Sequence, residues 1–194
     1  YFGKHIMTTQ NDETALGQGS SVKMETQETM KIIAAGNIFT GTFERDGMGG
    51  ILTLGRNFEC RPNKLKGYYK YTSAKVSVSK GHLNEGEDDL CSLYIALTDE
   101  QITVNTNKGI YFDPNSSAVI AYGSISDEES KGADSFKEFT VDLEYKDLKR
   151  IPKYIIVVAS SSKYGDYMEG GKGSTMWLDD LELVYPKSME EVRK

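Results

Sequence analysis

Residues 154–185 read YIIVVASSSKYGDYMEGGKGSTMWLDDLELVY, and the pattern of this segment is the strongest indication of the fold. Five consecutive apolar residues, 155–159, predict a strand buried within a sheet. Three serines and a glycine-rich loop follow, and the next predicted strand carries Trp177. Because binding groups commonly lie on loops that a rigid scaffold positions, we expect the loop at residues 163–173 to contact a ligand.

Alternating apolar residues predict strands along most of the remaining chain. Roughly nine or ten such runs are separated by turn signals, as in a β-sandwich. Only residues 187–194 have a helix-compatible composition, and so short a segment without an apolar face predicts a frayed tail. We therefore predict an all-β fold, an antiparallel two-sheet β-sandwich of the jelly-roll type, as one domain over residues 1–194 with an ordered core at about 19–186. The predicted core includes Leu93, Ile95, Val141, Leu143, Val157 and Leu181.

The charge and hydropathy of the chain exclude two classes of partner. The 194 residues carry a net charge of -6, and the basic residues do not cluster, so we expect no binding of nucleic acid. No apolar run approaches the roughly 20 residues that span a bilayer, so we expect no membrane insertion.

The two cysteines and two histidines lack the spacing of a metal site. We expect Cys60 and Cys91 to be separate buried thiols, although a bridge stays open if the protein is exported. We expect His5 and His82 to be solvated surface residues.

Four motifs carry a resemblance to a known family: AAGNIFTG at residues 34–41, RPNKLKGYYKY at 61–71, SSSKYGDY at 160–167 and GSTMWLDDLELVY at 173–185. With them, the chain resembles the putative carbohydrate metabolism domain family over about residues 19–185. The resemblance implies a jelly roll similar to galactose-binding domains and carbohydrate-binding modules. It also implies an exported protein, in the periplasm or at the outer-membrane surface, in which an immunoglobulin-like domain often precedes this one.

A sugar site needs flat apolar faces and directional hydrogen-bonding groups, which aromatic and planar polar side chains supply. The candidates for ligand binding are Arg61, Tyr68, Tyr69, Tyr71, Tyr164, Tyr167 and Trp177. Tyr69 and Tyr71 share one face of their strand and are either ligand contacts or core residues. Arg61 is either a sugar contact or a member of an ion pair. Trp177 is either a platform for the sugar or part of the core.

The serine run at residues 160–162 does not predict a serine hydrolase. It lacks a G-x-S-x-G elbow and a histidine placed by a local pattern, so no base would activate a nucleophile. We expect these serines to shape the following loop through hydrogen bonds.

Asp179 and Asp180 suggest a structural Ca²⁺, because sugar-binding jelly rolls that this fold resembles often hold one near the final strand. Alternation places Asp179 with Trp177 and Leu181 on the predicted core side, where a carboxylate must be paired or coordinated. The chain has no D-x-D-x-D loop to complete a calcium site, so backbone hydrogen bonding or a basic partner is the alternative. We expect that no cofactor is required.

The expected function is binding of an oligo- or polysaccharide by an exported protein that acts in polysaccharide utilisation. One alternative is a glycoside hydrolase, which needs two catalytic carboxylates. The candidates are Glu44, Glu59, Asp142, Asp166 and Glu169, and their spacing in the sequence does not select a pair. The other alternative is a structural or assembly role in a larger surface protein.

Overall fold

The computed structural model describes residues 6–47 and 49–186, and these residues are almost entirely strands and loops. The strands are β1 (Thr8–Asn11), β2 (Ser21–Glu25), β3 (Gln27–Thr29), β4 (Ile32–Ala34), β5 (Asn37–Phe39), β6 (Gly41–Asp46), β7 (Gly49–Leu54), β8 (Arg56–Asn57), β9 (Lys64–Thr72), β10 (Ser92–Thr98), β11 (Ile102–Asn105), β12 (Val119–Ser124), β13 (Ala133–Asp142), β14 (Glu144–Tyr145), β15 (Tyr154–Ser160) and β16 (Thr175–Val184). Short 3₁₀ helices occupy Thr106–Lys108, Glu129–Lys131 and Gly165–Tyr167. Within the described ranges, no helix has the length and apolar character that crossing a membrane requires.

Two antiparallel sheets face each other across the main core. One has five strands in the order β1-β2-β16-β9-β13, and the other has six, in the order β14-β12-β10-β15-β5 with β8 added beside β15. Neighbouring strands in both sheets pair antiparallel. The predicted all-β, antiparallel two-sheet β-sandwich is confirmed.

The core follows the alternation of the strands, with one exception. Leu93, Ile95, Val141 and Leu143 are buried as predicted, and Val157 packs against them. The prediction for Leu181 is wrong, since its side chain is 42% exposed. Leu181 still faces the interior of the sandwich beside Leu65, but it lies at an open edge and is exposed there.

A bulge in β16 explains a different departure from the predicted alternation, at Trp177 and Asp179. The register against β9 shifts between Asp179 and Glu182, and Asp180 has a φ of 47°, in the left-handed region. A bulge changes which face of the sheet the following residues occupy. Before it, Met176 and Leu178 point into the core, and Trp177 and Asp179 therefore lie on the outer face, not on the predicted core side.

The first strand lies nearer the N-terminus than the sequence predicts. β1 pairs with β2 although the residues of β1 are polar and the ordered core was expected from about residue 19. Residues 12–20, hereafter the strap, then cross the outer face of the five-stranded sheet, where Ala15 N–H donates to Asp179 Oδ2 at 2.8 Å. The predicted tail at residues 187–194 and His5 lie outside the described residues.

A third sheet covers part of the outer face of the six-stranded sheet. It has the order β11-β7-β6 and packs through Leu54 and Val104 against Ala96 and Ile156 of the six-stranded sheet. The rest of that outer face is left open, and the candidate site lies there.

The two cysteines are free thiols in different environments. Cys91 is buried as predicted, and burial raises the pKa of its thiol to about 12. Cys60 is exposed, which corrects the prediction of two buried thiols, and the structure does not join the pair.

Candidate functional site

The floor of the candidate site is a row of polar side chains across three strands, hereafter the polar row: Asn37, Ser160 and Ser92. Asn37 of β5 pairs with Ser160 of β15, and Ser160 pairs with Ser92 of β10. Residues directly opposite in neighbouring strands point to the same face of the sheet. All three therefore lie on the outer face, because the alternate residues Leu93 and Ala159 are in the core.

The serine run holds the loop that borders this floor. Ser162 Oγ donates to Asp89 Oδ2 at 2.6 Å, and Gly171 N–H donates to the same oxygen at 2.8 Å. Thr26 Oγ1 lies within hydrogen-bond distance of Ser161 Oγ and Ser162 Oγ, at 2.8 and 2.7 Å. Asp89 therefore joins the two ends of the loop, since it accepts from Ser162 before the loop and from Gly171 near its end. The serine run shapes the loop through hydrogen bonds, as expected. Burial raises the pKa of Asp89, against the effect of its hydrogen bonds.

Asp166 lies in the 3₁₀ turn of this loop with a carboxylate that has no hydrogen bond or ion pair within the described residues. The side chain is open to solvent, yet it borders three cavities and has protein around it on several sides. This partial desolvation raises the pKa of Asp166 above its ordinary value. An unpaired carboxylate is a strong acceptor for ligand hydroxyl groups.

Three cavities border one another around Asp166, and together they are hereafter called the cleft. The wide cavity, of about 750 Å³, lies beside Phe43, Arg45 and Thr106. The bridging cavity, of about 60 Å³, lies over the polar row and shares Asn37 with the wide cavity and Ser92 with the third. The third, the aromatic cavity, has about 400 Å³. The cleft therefore crosses the strands β5, β15 and β10 instead of running along them.

Stacked rings line the aromatic cavity. Tyr94 and Phe112 stack with ring centroids 4.9 Å apart and an interplanar angle of 17°, and Tyr122 lies 6.0 Å from Tyr94. A second stacked pair in the same lining is Tyr111 on Tyr167, with ring centroids 3.9 Å apart. Such rings offer large apolar faces whose phenol hydroxyls can still hydrogen-bond, which suits a ligand that is apolar on its faces and polar at its edges.

His82 is exposed, as expected of a surface residue, and its ring also packs against the tyrosines of this loop. Its ring stacks on Tyr164 at 4.4 Å and lies 4.3 Å from Tyr167. The imidazole Nδ1 lies 3.0 Å from Glu169 Oε2, and Glu169 is fully buried. Burial opposes ionisation of Glu169, but hydrogen bonds from His82 and from backbone N–H groups, including that of Leu83, lower its pKa overall.

A glycine allows the loop to approach the edge of the sheet. A Cβ atom built on Gly165 would lie 2.5 Å from the Cβ of Ala35, closer than two such atoms can pack. A side chain at position 165 would therefore push the turn that carries Asp166 and Tyr167 away from the floor of the cleft.

The structure brings together only two of the seven predicted ligand-binding residues. Tyr164 and Tyr167 both line the aromatic cavity, in the loop that was expected to contact the ligand. Tyr69 and Tyr71 are 1% and 2% exposed and pack in the main core, so the core alternative is the correct one for both. Burial raises the pKa of Tyr69 to about 12.

Arg61 lies apart from the cleft in a cluster with a structural role. Its guanidinium lies 5.5 Å from the centroid of the Tyr145 ring and donates to the backbone carbonyl of Arg150. Tyr145 in turn donates to Pro62 O at 2.7 Å. Arg61 therefore joins the start of β9 to the segment near β14, and none of the three cavities of the cleft includes it.

Tyr68 and Trp177 lie on the outer face of the other sheet. Trp177 is opposite Lys70, and Tyr68 is opposite Asp179. The Lys70 and Lys23 ammonium groups lie 4.3 and 5.8 Å from the centroid of the Trp177 ring. The ring therefore already makes cation–π contacts within the protein.

The surroundings of Asp179 and Asp180 do not fit a calcium site. Asp179 Oδ2 accepts from Ala15 N–H and Oδ1 accepts from Asp180 N–H at 3.0 Å, which is the backbone bonding given as the alternative. Asp180 is exposed. In the described part of the chain, no three His, Cys, Asp or Glu side chains are grouped so that they could hold a metal ion.

A separate apolar cavity of about 320 Å³ opens at the edge of the sandwich between β5, β15 and β16. Its lining includes Ile38, Leu65 and the exposed Leu181. It offers few hydrogen-bonding groups, so it does not suit a polyhydroxylated ligand.

Sequence reasoning missed most of the cleft. Tyr94 and Tyr122 could have been found, because they alternate with core residues on β10 and β12 and must face outward. Asp166 was considered only as one of many acidic residues. Tyr111 and Phe112 lie in a loop without a periodic pattern, so no local signal reveals them.

Comparisons with known proteins agree with this fold. A family model described as "putative carbohydrate metabolism domain" matches residues 3–184. The structure is similar to that of a "putative glycoside hydrolase" from Bacteroides thetaiotaomicron VPI-5482, with a TM-score of 0.75 and 24% identity, covering 94% of this chain and 58% of that one. A second "putative glycoside hydrolase", from Bacteroides vulgatus ATCC 8482, gives a TM-score of 0.72 and 24% identity, covering 92% of this chain and 77% of that one. Comparison with curated proteins gives no match.

Proposed function

The chain belongs to the putative carbohydrate metabolism domain family, and from this premise we propose that it binds an oligo- or polysaccharide in the cleft. The binding surface comprises the ring faces of the aromatic cavity, the polar row and Asp166. Of the residues singled out in the sequence, Tyr164 and Tyr167 remain members of it.

The observation that carries the proposal is that aromatic faces and an unpaired carboxylate border the same cavity. The rings of Tyr94 and Tyr122 line it together with Asp166. A pyranose presents apolar C–H groups on its faces and hydroxyl groups at its edges. A pyranose in this cavity could therefore stack on the rings and donate hydroxyl hydrogen bonds to the carboxylate at the same time.

The cellular setting follows from the family and is part of the proposal. We propose an exported protein, in the periplasm or at the outer-membrane surface, that acts in polysaccharide utilisation. An immunoglobulin-like domain on the N-terminal side is the proposed neighbour within the longer protein.

The test is retention of the protein on a broad panel of polysaccharides in affinity electrophoresis. We expect Y164A/Y167A to weaken retention by at least about 10-fold, since each ring is worth about 1 kcal/mol or more in stacking. W177F is the matched control, because it changes an aromatic residue outside the cleft. If the unmodified protein is retained by no polysaccharide, or the double variant is retained as before, the proposal is wrong.

A second function, glycoside hydrolysis, is supported by two carboxyl groups, those of Asp166 and Asp127, that line the aromatic cavity together. In such a reaction one carboxyl group protonates the glycosidic oxygen while the other takes a proton from the water that adds to the anomeric carbon, and the raised pKa of Asp166 makes it the candidate acid. Asp127 lines the same cavity and is the candidate base, although it is paired with Lys163 at 3.1 Å. A reducing-sugar assay distinguishes the functions: hydrolysis predicts product release that D166N abolishes, whereas binding alone predicts no release by either protein.

A further inference from the structure

We infer that the cleft holds the interior of an extended oligosaccharide, with Asp166 near its midpoint, instead of a single sugar or a chain end. This inference rests on the proposed function and adds the form of the ligand to it. Its basis is that three cavities border one another along one path, with Asp166 common to all of them.

The polar row gives the path a regular spacing. Neighbouring strands lie about 4.8 Å apart, so Asn37, Ser160 and Ser92 present polar groups at that interval over about 10 Å. This interval is close to the repeat of one pyranose unit in an extended chain. Ser160 Oγ already donates to Ser162 O at 2.9 Å, and Asn37 Nδ2 to Ala35 O at 3.4 Å. The side chains of Ser160 and Asn37 therefore offer their oxygens as acceptors to successive sugar units.

The two ends of the path differ in chemistry. At one end the aromatic cavity offers the faces of Tyr94 and Tyr122. At the other end the wide cavity includes the exposed guanidinium of Arg45 and the hydroxyl of Thr106. A single sugar in the aromatic cavity would leave Arg45 without a contact, whereas a chain that crosses the bridging cavity reaches both ends.

The waist between the two ends favours a single extended chain. The bridging cavity holds only about 60 Å³, compared with about 750 and 400 Å³ on either side. The bridging cavity is too small to enclose a pyranose unit, so the middle units of a chain would lie across its mouth, over the polar row. There they would be beside Asp166, between the two larger cavities.

The experiment is isothermal titration calorimetry with β-1,4-gluco-, β-1,4-xylo-, β-1,4-manno- and α-1,4-gluco-oligosaccharides of two to six units. For a series that binds, we expect affinity to rise by at least about 10-fold from two to five units, because longer chains reach both ends of the cleft. R45A should weaken binding of the longest chain by about 3-fold to 10-fold and leave the disaccharide unchanged. Y122A should weaken both chains.

R56A is the matched control for R45A. Each arginine is exposed and donates to one backbone carbonyl, of Gly41 for Arg56 and of Gly47 for Arg45, but only Arg45 lines the cleft. Equal affinity for two and six units, together with no effect of R45A, would overturn the inference and leave glycan binding itself intact. Absence of binding by every oligosaccharide and polysaccharide tested would instead overturn the proposed function, and the inference with it.

Discussion

On the outer face of the five-stranded sheet, Trp177 lies between the cations of Lys23 and Lys70, whereas on the outer face of the six-stranded sheet the ring of Tyr94 borders an open cavity. Both faces carry aromatic and charged side chains. They differ in that cations cover the ring of Trp177, whereas the ring of Tyr94 stacks on Phe112 and still borders the aromatic cavity. Lys70 is paired with Glu13 of the strap, and Lys23 with Glu25.

The carboxylates of the two faces differ in whether they have partners. Asp179 accepts two backbone N–H groups and holds the strap against the sheet. Asp166 has no partner within residues 6–47 and 49–186. A surface whose polar groups are satisfied internally gains little from a ligand, whereas an unpaired carboxylate beside open rings gains a hydrogen bond and a stacking partner.

The largest expected effect is a loss of stability on removal of Asp89, which we compare with removal of Asp179. Each is a buried carboxylate that holds a segment on its own face of the sandwich. D89A removes the acceptor for Ser162 Oγ and Gly171 N–H, and leaves these donors buried. We expect it to lower the free energy of unfolding by about 3 kcal/mol, and D179A to lower it by about 1 kcal/mol because the strap lies at the surface. Urea denaturation measures both. Equal losses would show that the strap is held as firmly as the loop of the cleft.

The next effect concerns Trp177, whose Nε1–H is buried and has no hydrogen-bond partner in the described part of the chain. W177A should lower the free energy of unfolding by about 2 kcal/mol, since it removes a half-buried ring from between two lysines. W177F should change it by about 0.5 kcal/mol or less, because the loss of area from indole to the smaller phenyl ring is offset by removal of an unsatisfied donor. Neither variant should alter glycan affinity, and a loss of affinity in W177F would move the binding surface to this face.

A smaller effect on stability is expected at Asp166, with a definite sign. The pKa of Asp166 is raised in the folded state, so its contribution to stability is fully present below the ordinary value of 3.8 and is lost as the pH rises through the raised value. At neutral pH, D166N should therefore be more stable than the wild type by a few tenths of a kcal/mol, since solvent screens the exposed group. At pH 3 the two should unfold at the same temperature in calorimetry.

The same substitution separates stability from binding. D166N replaces a charged acceptor by a neutral amide and should weaken glycan binding by about 10-fold at neutral pH. D127N is the control, because Asp127 borders the cleft but is already paired with Lys163. A D166N protein that binds as tightly as the wild type would show that the carboxylate does not contact the ligand.

The smallest expected effect is the absence of a fluorescence change. The chain has one tryptophan, and it lies on the face opposite the cleft. Saturating glycan should leave both the wavelength and the intensity of its emission unchanged. A shift in emission would indicate that the ligand contacts, or rearranges, the Trp177 face.

The sequence was sufficient to predict the sandwich because alternation reports which side of a strand is apolar. Leu93 and Ile95 are in the core for that reason, and the serine run shapes its loop as expected. Alternation also placed Trp177 and Asp179 on the core side, but a bulge at Asp180 interrupts the period, and no local feature of the sequence indicates that bulge.

The cleft was harder to predict, because its residues come from separate segments. Tyr164 and Tyr167 were identified from the loop that follows a buried strand. Their partners His82 and Tyr111 approach them only through the tertiary fold. Residue type alone also placed Trp177 in the same site, since nothing local distinguishes a ring that lysines cover from one that faces a cavity.

The central claim, that glycan binds on the outer face of the six-stranded sheet, is tested most directly by amide chemical shifts in a ¹⁵N-labelled sample titrated with the oligosaccharide that binds best. We predict that the largest shifts occur at Ser92, Tyr94 and Asp166, while Lys23 and Trp177 are unaffected. Shifts concentrated at Lys23 and Trp177, with none at the cleft, would contradict the account.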